Sequence, residues 1–362
     1  MNDFSHYLQN IHQPDAEAYG KAMSWLDALA KPPGSLGKLE EIAARLCAIS
    51  GSLTPCIDKR CIIVAAADNG VVAEGVSAAP QAVTAIQTIN IINGVTGVGV
   101  LAKQFNTDIF VADVGVNAEI SHERLIDKKI RKGTGNIVKE TAMTKTEVIT
   151  AVQTGADLAR MAYERGYRAI GAGEMGIGNT TSSSAVLAAL LDVSGDGVQA
   201  LIGRGAGLDD DAYMRKTEAV KTALDLHKPD KDDPLDILRT VGGLDLAAMT
   251  GVYIGAAYYR LPAVIDGFIS VVAALCAARL NPNIREYMFA SHASFERGYA
   301  AAVKALGLSP CLDLDMRLGE GSGCPLMFGI MDGALAVFKN MATLAGASIS
   351  QDYIDQIGKI SF

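Results

Sequence analysis

Short runs of apolar residues, each ending in a polar side chain, recur along the chain after residue 50. Continuous apolar runs of this length are typical of strands buried on both faces of a parallel sheet. We therefore predict that these runs are the strands of one parallel sheet. They cover residues 61–67, 109–112, 167–173, 263–265 and 286–290.

Helix-forming stretches lie between these predicted strands. Residues 144–147 read Thr-Lys-Thr-Glu, a capping box that predicts a helix to about residue 164. Further helices are predicted over 179–191 and 209–226. The alternation of strand and helix predicts an α/β fold, a parallel sheet flanked by helices with right-handed crossovers.

The first 50 residues have a different pattern, amphipathic and helical. Residues 31–37 interrupt them with two prolines and two glycines, which cannot continue a helix and predict a turn. Residues 227–234 are polar and charged, and we predict a surface loop there.

Charge and composition narrow the class of partner. A formal net charge of −8 disfavours binding to nucleic acid or to an anionic membrane surface. The apolar stretch over 269–278 is far shorter than the roughly 20 residues of a membrane-spanning helix, and no signal peptide is recognised. The six cysteines form no C-x-x-C pair, which favours reduced thiols in a cytoplasmic protein.

Each predicted strand ends in a polar side chain, and the carboxyl ends of parallel strands form the usual ligand edge. A single acid there is as often a helix cap, but five together indicate a functional edge. An acidic rim suits a metal ion or an organic cation. The chain has five histidines and none at ligand spacing, so we predict no metal and favour a cationic ring. The five side chains are Asp68, Asp113, Glu174, Asp266 and Ser291.

Two glycine-rich stretches, residues 171–181 and 203–209, each open a predicted helix. Backbone amides at a helix N-terminus bind anions well, and Lys216 follows the second stretch within two turns. Neither stretch has dinucleotide-binding or P-loop spacing. Together they predict a phosphate site.

A third glycine-rich stretch, residues 317–323, places Glu320 between glycines just before an apolar helix predicted over about 325–344. Flanking glycines give a ligand unhindered access to this carboxylate, at an entropic cost that a plain surface loop need not incur. We therefore predict that Glu320 has a functional role.

Seven motifs in this order resemble the nicotinate-nucleotide:dimethylbenzimidazole phosphoribosyltransferase (CobT) family nearly end to end. They are KPPGSLGKLE (31–40), DNGVVAEGVSAAPQAVT (68–84), GEMGIGNTT (173–181), GRGAGLDD (203–210), IDGFIS (265–270), SHASFERGY (291–299) and RLGEGSG (317–323). The resemblance implies a homodimer. It also implies a large Rossmann-like domain over about 51–334 and a small helical domain formed from both chain ends, 1–50 plus about 335–362.

The resemblance also implies a reaction without a cofactor. The phosphoribosyl group of nicotinate mononucleotide moves to a nitrogen of 5,6-dimethylbenzimidazole, giving α-ribazole 5′-phosphate for the cobamide nucleotide loop. Glu320 matches the catalytic base, and Lys216 matches a lysine near the phosphate. The other implied substrate-binding residues are Glu174, Gly176, Asn179, Thr180, Gly203, Gly205 and Asp266 for the donor, Ser291 near nicotinate, and Gln87 and Leu318 for the base.

Three positions depart from the family pattern and leave the acceptor open. Asn69 and Tyr299 stand where histidine is common, and Ala79 stands where serine is common. We predict a permissive acceptor pocket around Asn69, Ala79, Gln87 and Leu318. The alternatives are another benzimidazole, a purine, or a phenol acceptor that needs a partner subunit; a non-catalytic ligand-binding paralogue; and, more distantly, a metal-dependent lyase.

Overall fold

The computed structural model describes residues 3–205 and 207–350. A six-stranded parallel sheet lies at its centre, in the order β3-β2-β1-β4-β5-β6. This confirms the predicted α/β fold with a Rossmann-like parallel sheet. The strands are β1 (Arg60–Ala67), β2 (Asp108–Gly115), β3 (Leu125–Asp127), β4 (Ala169–Met175), β5 (Ala263–Ile265) and β6 (Met288–Ala290).

The described residues also form thirteen α-helices and three short 3₁₀ helices. The α-helices are α1 (Phe4–Gln9), α2 (Ala16–Asp27), α3 (Lys38–Ser50), α4 (Val83–Asn93), α5 (Gly97–Gln104), α6 (Lys145–Glu164), α7 (Asn179–Leu190), α8 (Asp210–His227), α9 (Pro234–Val241), α10 (Leu244–Tyr258), α11 (Phe268–Leu280), α12 (Gly298–Leu306) and α13 (Gly323–Asn340). The 3₁₀ helices are Gly70–Glu74, Gly195–Leu201 and Pro282–Tyr287.

The strand order reverses at the centre of the sheet. Strand β1 is buried along its whole length and pairs with both β2 and β4, so that Val64 lies opposite Val111 on one side and Gly173 on the other. The chain runs outward from β1 to β3, then crosses to β4 and continues to β6. A crevice therefore opens beyond the carboxyl ends of β1 and β4.

Helices α6 and α10 pack closely against each other beside the sheet. The capping box at Thr144 and Glu147 opens α6 as predicted. A Cβ at Gly155 of α6 would clash with the carbonyl oxygen of Ala248, and α10 presents Gly251 to α6 in the same way. These glycines let the two backbones approach closely, which fixes α10 and the residues at its start.

Two elements differ from the sequence prediction. Only the end of the run 286–290 is a strand, because the 3₁₀ helix Pro282–Tyr287 occupies its start. The edge strand β3 was not predicted, because its three residues carry no apolar run that stands out from the charged segment around them. The predicted helix over 325–344 is observed as α13, which begins earlier and ends at Asn340.

The two chain ends meet. Leu29 pairs with Thr343 in an antiparallel bridge, and Trp25 Nε1 donates to the Phe338 carbonyl at 2.8 Å. These contacts join the loop after α2 to the end of α13. The division of the chain into two domains stays a prediction, and residues 351–362 of the expected small domain lie outside the described residues.

The segment Val83–Gln104 is apolar and long enough, by length and composition alone, to cross a membrane. It was not singled out in the sequence, where the run over 269–278 was considered instead. In the structure it is two helices, α4 and α5, separated by a turn in which Gly94 has a φ of 74°. The segment is therefore not one continuous helix.

Candidate active site

Glu320 lies in a tight loop whose backbone has positive φ at three successive residues. The angles are 86° at Gly319, 64° at Glu320 and 88° at Gly321. A non-glycine residue in this region is strained, and such strain persists only where the surroundings hold the residue in place. The loop packs closely, because a Cβ at Gly319 would clash with a carboxylate oxygen of Glu174.

Both oxygens of the buried Glu320 carboxylate accept hydrogen bonds. Gln87 Nε2 donates to Oε1 at 3.2 Å, and the backbone amide of Val98 donates to Oε2 at 3.2 Å. Val98 is the second residue of α5, so the carboxylate lies at a helix N-terminus, where negative charge is stabilised. Glu320 is therefore held in one position before any ligand binds.

Asp266, at the end of β5, anchors the same loop from the other side. Its carboxylate accepts the backbone amides of Gly321 at 3.0 Å and Gly323 at 2.7 Å. Burial raises the pKa of Asp266 to about 7; the two amides oppose this rise and the charge of Glu320 adds to it. Asp266 thus fixes the backbone on both sides of Ser322 and, through it, the start of α13.

A third buried carboxylate, Glu174, links β4 to the Glu320 loop. Its Oε1 accepts the backbone amide of Glu320 at 3.3 Å, and Asn179 donates both to Glu174 and, at 3.0 Å, to Asp245. Burial, with a contribution from the charge of Asp245, raises the pKa of Glu174 to about 8. Glu174 is therefore largely protonated near neutral pH, which lowers the negative charge around Glu320.

The buried ammonium group of Lys216 lies at the start of α7. Its Nζ donates to Thr180 Oγ1 at 2.9 Å and to the Gly203 carbonyl at 3.0 Å, and both partners are neutral. Burial lowers the pKa of Lys216 to about 8, against the opposing charge of Glu296. A buried cation with neutral partners is stabilised by an added anion, and Gly205 leaves the approach to it open.

A cavity of about 330 Å³ beyond the carboxyl ends of β4 and β5 is lined by the carboxylates of Glu174, Asp266 and Glu320 and by Thr180, the partner of Lys216. It brings together ten of the residues singled out in the sequence. They are Ala79, Gln87, Glu174, Gly176, Asn179, Thr180, Gly205, Asp266, Leu318 and Glu320.

Comparison with known proteins gives the family. Residues 11–349 match the model of a family described as phosphoribosyltransferase. The chain belongs to this family. It is 50% identical to the nicotinate-nucleotide–dimethylbenzimidazole phosphoribosyltransferase of Clostridium perfringens, over 97% of this chain and 96% of the relative. It is 44% identical to the enzyme of that name from Clostridium tetani, over 94% of each chain.

The fold agrees with a crystal structure of nicotinate-nucleotide–dimethylbenzimidazole phosphoribosyltransferase from Thermus thermophilus. That structure has a TM-score of 0.87 and 40% sequence identity, and the match covers 93% of this chain and 99% of that one. A second structure, of CobT from the same organism, has a TM-score of 0.88 at 40% identity. The match spans nearly the whole of this phosphoribosyltransferase.

Four of the predicted site residues do not line the cavity. Lys216 and Gly203 lie behind Gly205, where Lys216 Nζ donates to the Gly203 carbonyl. Ser291 is fully buried and donates to the Asp266 carbonyl at 3.0 Å. Asn69 is also fully buried and accepts from Ser182 Oγ at 2.9 Å.

The expectation that all five strand-end side chains share a ligand edge is wrong for three of them, namely the buried Ser291 and two aspartates. Asp113 pairs with Lys129 at 3.0 Å, and Asp68 accepts the Asn117 amide at 2.7 Å; neither lines the cavity. Both carboxylates hold loops of the phosphoribosyltransferase together. In the sequence these acids cannot be told from acids that bind a ligand. Their partners are either side chains far along the chain or backbone amides, which no residue letter reveals.

Three titratable side chains near the cavity were not among the residues singled out in the sequence. His292 and Glu296 line it, and Asp245 lies behind Asn179. His292 follows Ser291 directly and could have been found from that neighbour; burial lowers its pKa to about 4, so it is neutral. Within residues 3–205 and 207–350, no three His, Cys, Asp or Glu side chains are grouped to hold a metal.

Proposed function

We propose that this phosphoribosyltransferase moves the phosphoribosyl group of nicotinate mononucleotide to 5,6-dimethylbenzimidazole. The products are α-ribazole 5′-phosphate, for assembly of the cobamide nucleotide loop, and nicotinate. One observation carries the proposal: a single cavity has a fixed carboxylate, Glu320, at one end, and behind the other lies a buried lysine, Lys216, that forms no salt bridge with any of the described residues. The names of the relatives support it.

The chemistry requires a base and little else. When the C1′–N bond breaks, its electron pair returns to the pyridinium ring of the donor, whose nitrogen becomes neutral, so nicotinate leaves without acid assistance. The attacking benzimidazole uses one ring nitrogen and must lose the proton on the other. Glu320 accepts that proton, a role worth typically ~10²–10⁴-fold in rate. Attack on the face opposite nicotinate inverts C1′ from β to α.

The rest of the cavity binds and orients the two substrates. The donor phosphate binds at Lys216, Thr180 and the backbone of Gly203 and Gly205. Asp266 lies at the nicotinate end, with Ser291 behind it. Gln87, Leu318 and Ala79 hold the acceptor base. Holding both rings in line with C1′ supplies the remaining rate by orientation.

A competition assay tests the reaction and the acceptor together. The protein is given nicotinate mononucleotide with an equimolar mixture of benzimidazoles, adenine and p-cresol, and the ribosides are identified by mass spectrometry. We expect α-ribazole 5′-phosphate as a main product, formed equally in EDTA. A purine or phenol riboside as the sole product would show that the acceptor is one of the alternatives. Loss of product in EDTA would favour metal-dependent chemistry. The absence of any riboside would favour a non-catalytic paralogue.

We further propose a homodimer that buries the outer face of α4 and α5. Ile86, Val95 and Val100 are 59%, 68% and 60% exposed there, which is unusual for apolar side chains so close together. Light scattering should give twice the mass of the chain. Val100→Glu should yield monomer, whereas Leu226→Glu, an equally apolar and exposed position on α8, should remain dimeric. A monomeric parent protein would contradict the proposal.

We place the reaction in the cytoplasm, without a membrane or nucleic-acid partner. All six cysteines are free, and four of them are buried. Unpaired thiols suit a reducing compartment, and the net charge of −8 disfavours polyanions. A fractionation experiment should recover the protein with cytoplasmic markers; recovery in the membrane pellet would contradict this placement.

A further inference from the structure

Asn90 lies behind Gln87 on α4 and outside the cavity. Its Nδ2 donates to Gln87 Oε1 at 2.8 Å, and Gln87 Nε2 donates to Glu320 Oε1 at 3.2 Å. The three side chains therefore form one directed chain of hydrogen bonds that ends on the carboxylate proposed as the base.

A glutamine amide has two orientations of almost the same shape but opposite hydrogen-bonding character. If Gln87 turned its Oε1 toward Glu320, two acceptors would face each other and the carboxylate would lose a donor. Nothing within Gln87 itself prevents this rotation. The Asn90 amide group opposes it, because its Nδ2 donates to Gln87 Oε1 in the observed arrangement and would lose this acceptor if Oε1 turned toward Glu320.

We propose that Asn90 is a positioning residue that keeps the donor face of Gln87 on Glu320. The inference rests on the proposed role of Glu320 as the base. Asn90 can hold this orientation because it lies one helical turn from Gln87, where side chains on a helix meet. Its backbone is also fixed, since its carbonyl accepts the amide of Val95 at 3.2 Å where α4 ends.

The contribution of Asn90 is limited to one oxygen of the carboxylate. The Val98 amide holds Oε2 independently of α4. Loss of the Asn90 contact therefore loosens Glu320 without releasing it. We expect an effect on turnover well below that of removing Glu320, and no effect on the donor, which binds at the Lys216 end.

Asn90→Asp replaces the donor with an acceptor of the same shape, so Gln87 turns its Nε2 away from Glu320. We expect kcat to fall about tenfold, the size of one hydrogen bond to a charged group, with the donor KM within twofold of the parent value. Asn90→Ala removes the donor without adding charge and should show a smaller fall. Gln9→Glu is the control for added charge, because it adds one negative charge at an exposed position on α1, outside α4 and α5, and should keep the parent kcat.

A double-mutant cycle separates positioning from general damage. In a Gln87→Ala background, Asn90→Asp should have no further effect on kcat, because the residue through which Asn90 acts is absent. An equal fall in both backgrounds, or a fall no larger than that of Gln9→Glu, would overturn the proposal. Thermal unfolding of each variant identifies any that lose turnover by unfolding. If Asn90→Asp does not fold, the kcat of Asn90→Ala in the two backgrounds tests the proposal instead.

Glu320→Gln, assayed in parallel, distinguishes the two ways of failing. If it keeps turnover, the base role of Glu320 fails and the inference fails with it. If it loses turnover while Asn90→Asp keeps the parent kcat, only the role of Asn90 is wrong.

Discussion

The two ends of the cavity are built in opposite ways. At the Glu320 end, carboxylates meet donors that the protein itself supplies: Gln87 and the Val98 amide for Glu320, and two loop amides for Asp266. At the other end, the ammonium group of Lys216 donates, among the described residues, to two neutral oxygens, and the opposing charge is that of Glu296. The first end is complete without a ligand, whereas the second is completed by one.

This difference suits the two tasks of the proposed reaction. A base must be held in position before the reaction, since reorganisation during it would raise the barrier. A binding site for an anion benefits from a buried cation with few partners, because the incoming phosphate then supplies stabilisation that the protein lacks. Substitutions at the Glu320 end should therefore lower kcat, and those at the Lys216 end should raise the donor KM.

The largest effect is expected at the complete end. Glu320→Gln keeps the shape of the side chain and removes the base, so kcat should fall by roughly 10²–10⁴-fold. Donor binding, measured by calorimetry, should stay near the parent value. Turnover within threefold of the parent protein would end the assignment of Glu320 as the base.

Substitution of Lys216, at the end of the cavity that a ligand completes, should raise the donor KM. Lys216→Ala removes a charge-assisted contact to phosphate, worth about 1.5–3 kcal/mol, so the donor KM should rise by an order of magnitude or more. The acceptor KM should change little. Steady-state kinetics with each substrate varied in turn measure both. A raised acceptor KM with an unchanged donor KM would show that the donor phosphate does not bind at Lys216.

The pH dependence of donor use should reflect the same lysine. Burial lowers the pKa of Lys216 from 10.5 to about 8, so the free protein loses its cation above that pH. The donor kcat/KM should then fall about tenfold by pH 9. Between these two values the unfolded chain binds more protons than the folded protein, so this group makes stability rise with pH there.

The Lys216→Ala variant is the control for this pH profile. It should lose the alkaline fall near pH 8, while changes due to Glu174 and Asp266 persist. If the fall remains at full size in the variant, another group is responsible.

A smaller effect on kcat is expected at Asp266, which holds the backbone of the Glu320 loop. Asp266→Asn keeps an acceptor for one loop amide and turns an NH₂ group toward the other. Losing one such bond loosens Glu320, and kcat should fall about five- to tenfold. The donor KM should be examined as well, since Asp266 also lines the cavity. An unchanged kcat would show that the loop keeps its shape without this anchor.

The smallest effect concerns acceptor choice. An apolar slot discriminates a missing methyl group by only about 1–3 kcal/mol, so we expect several benzimidazoles and some purines to be used besides dimethylbenzimidazole. Ala79→Ser should narrow this range and leave the donor KM unchanged, because Ala79 lines the cavity on the side of Gln87. The test ranks kcat/KM for dimethylbenzimidazole, benzimidazole, 5-methoxybenzimidazole, adenine and p-cresol. A preference above about a thousandfold for one base would contradict a permissive pocket.

Local patterns in the sequence determined the main elements and the three glycine-rich stretches considered as candidate ligand loops. Some features depend on residues that are close along the chain and can therefore be predicted from the sequence. They are the buried run of β1, the capping box of α6 and the glycines around Glu320. The family motifs extended this to named candidate residues. The parallel sheet followed from the spacing of apolar runs.

Only the tertiary structure decided which polar side chains face a ligand and which face the protein. Asp113 and Asp266 look alike in the sequence, each an acid after a strand, yet one pairs with Lys129 and the other holds the Glu320 loop. Gln87 and Val98 carry no local sequence pattern that marks them, because their contacts with Glu320 cross the fold. The physical reason is that burial and hydrogen-bond partners depend on distant segments meeting, and a charge becomes a base, an anchor or a counter-ion only through those partners.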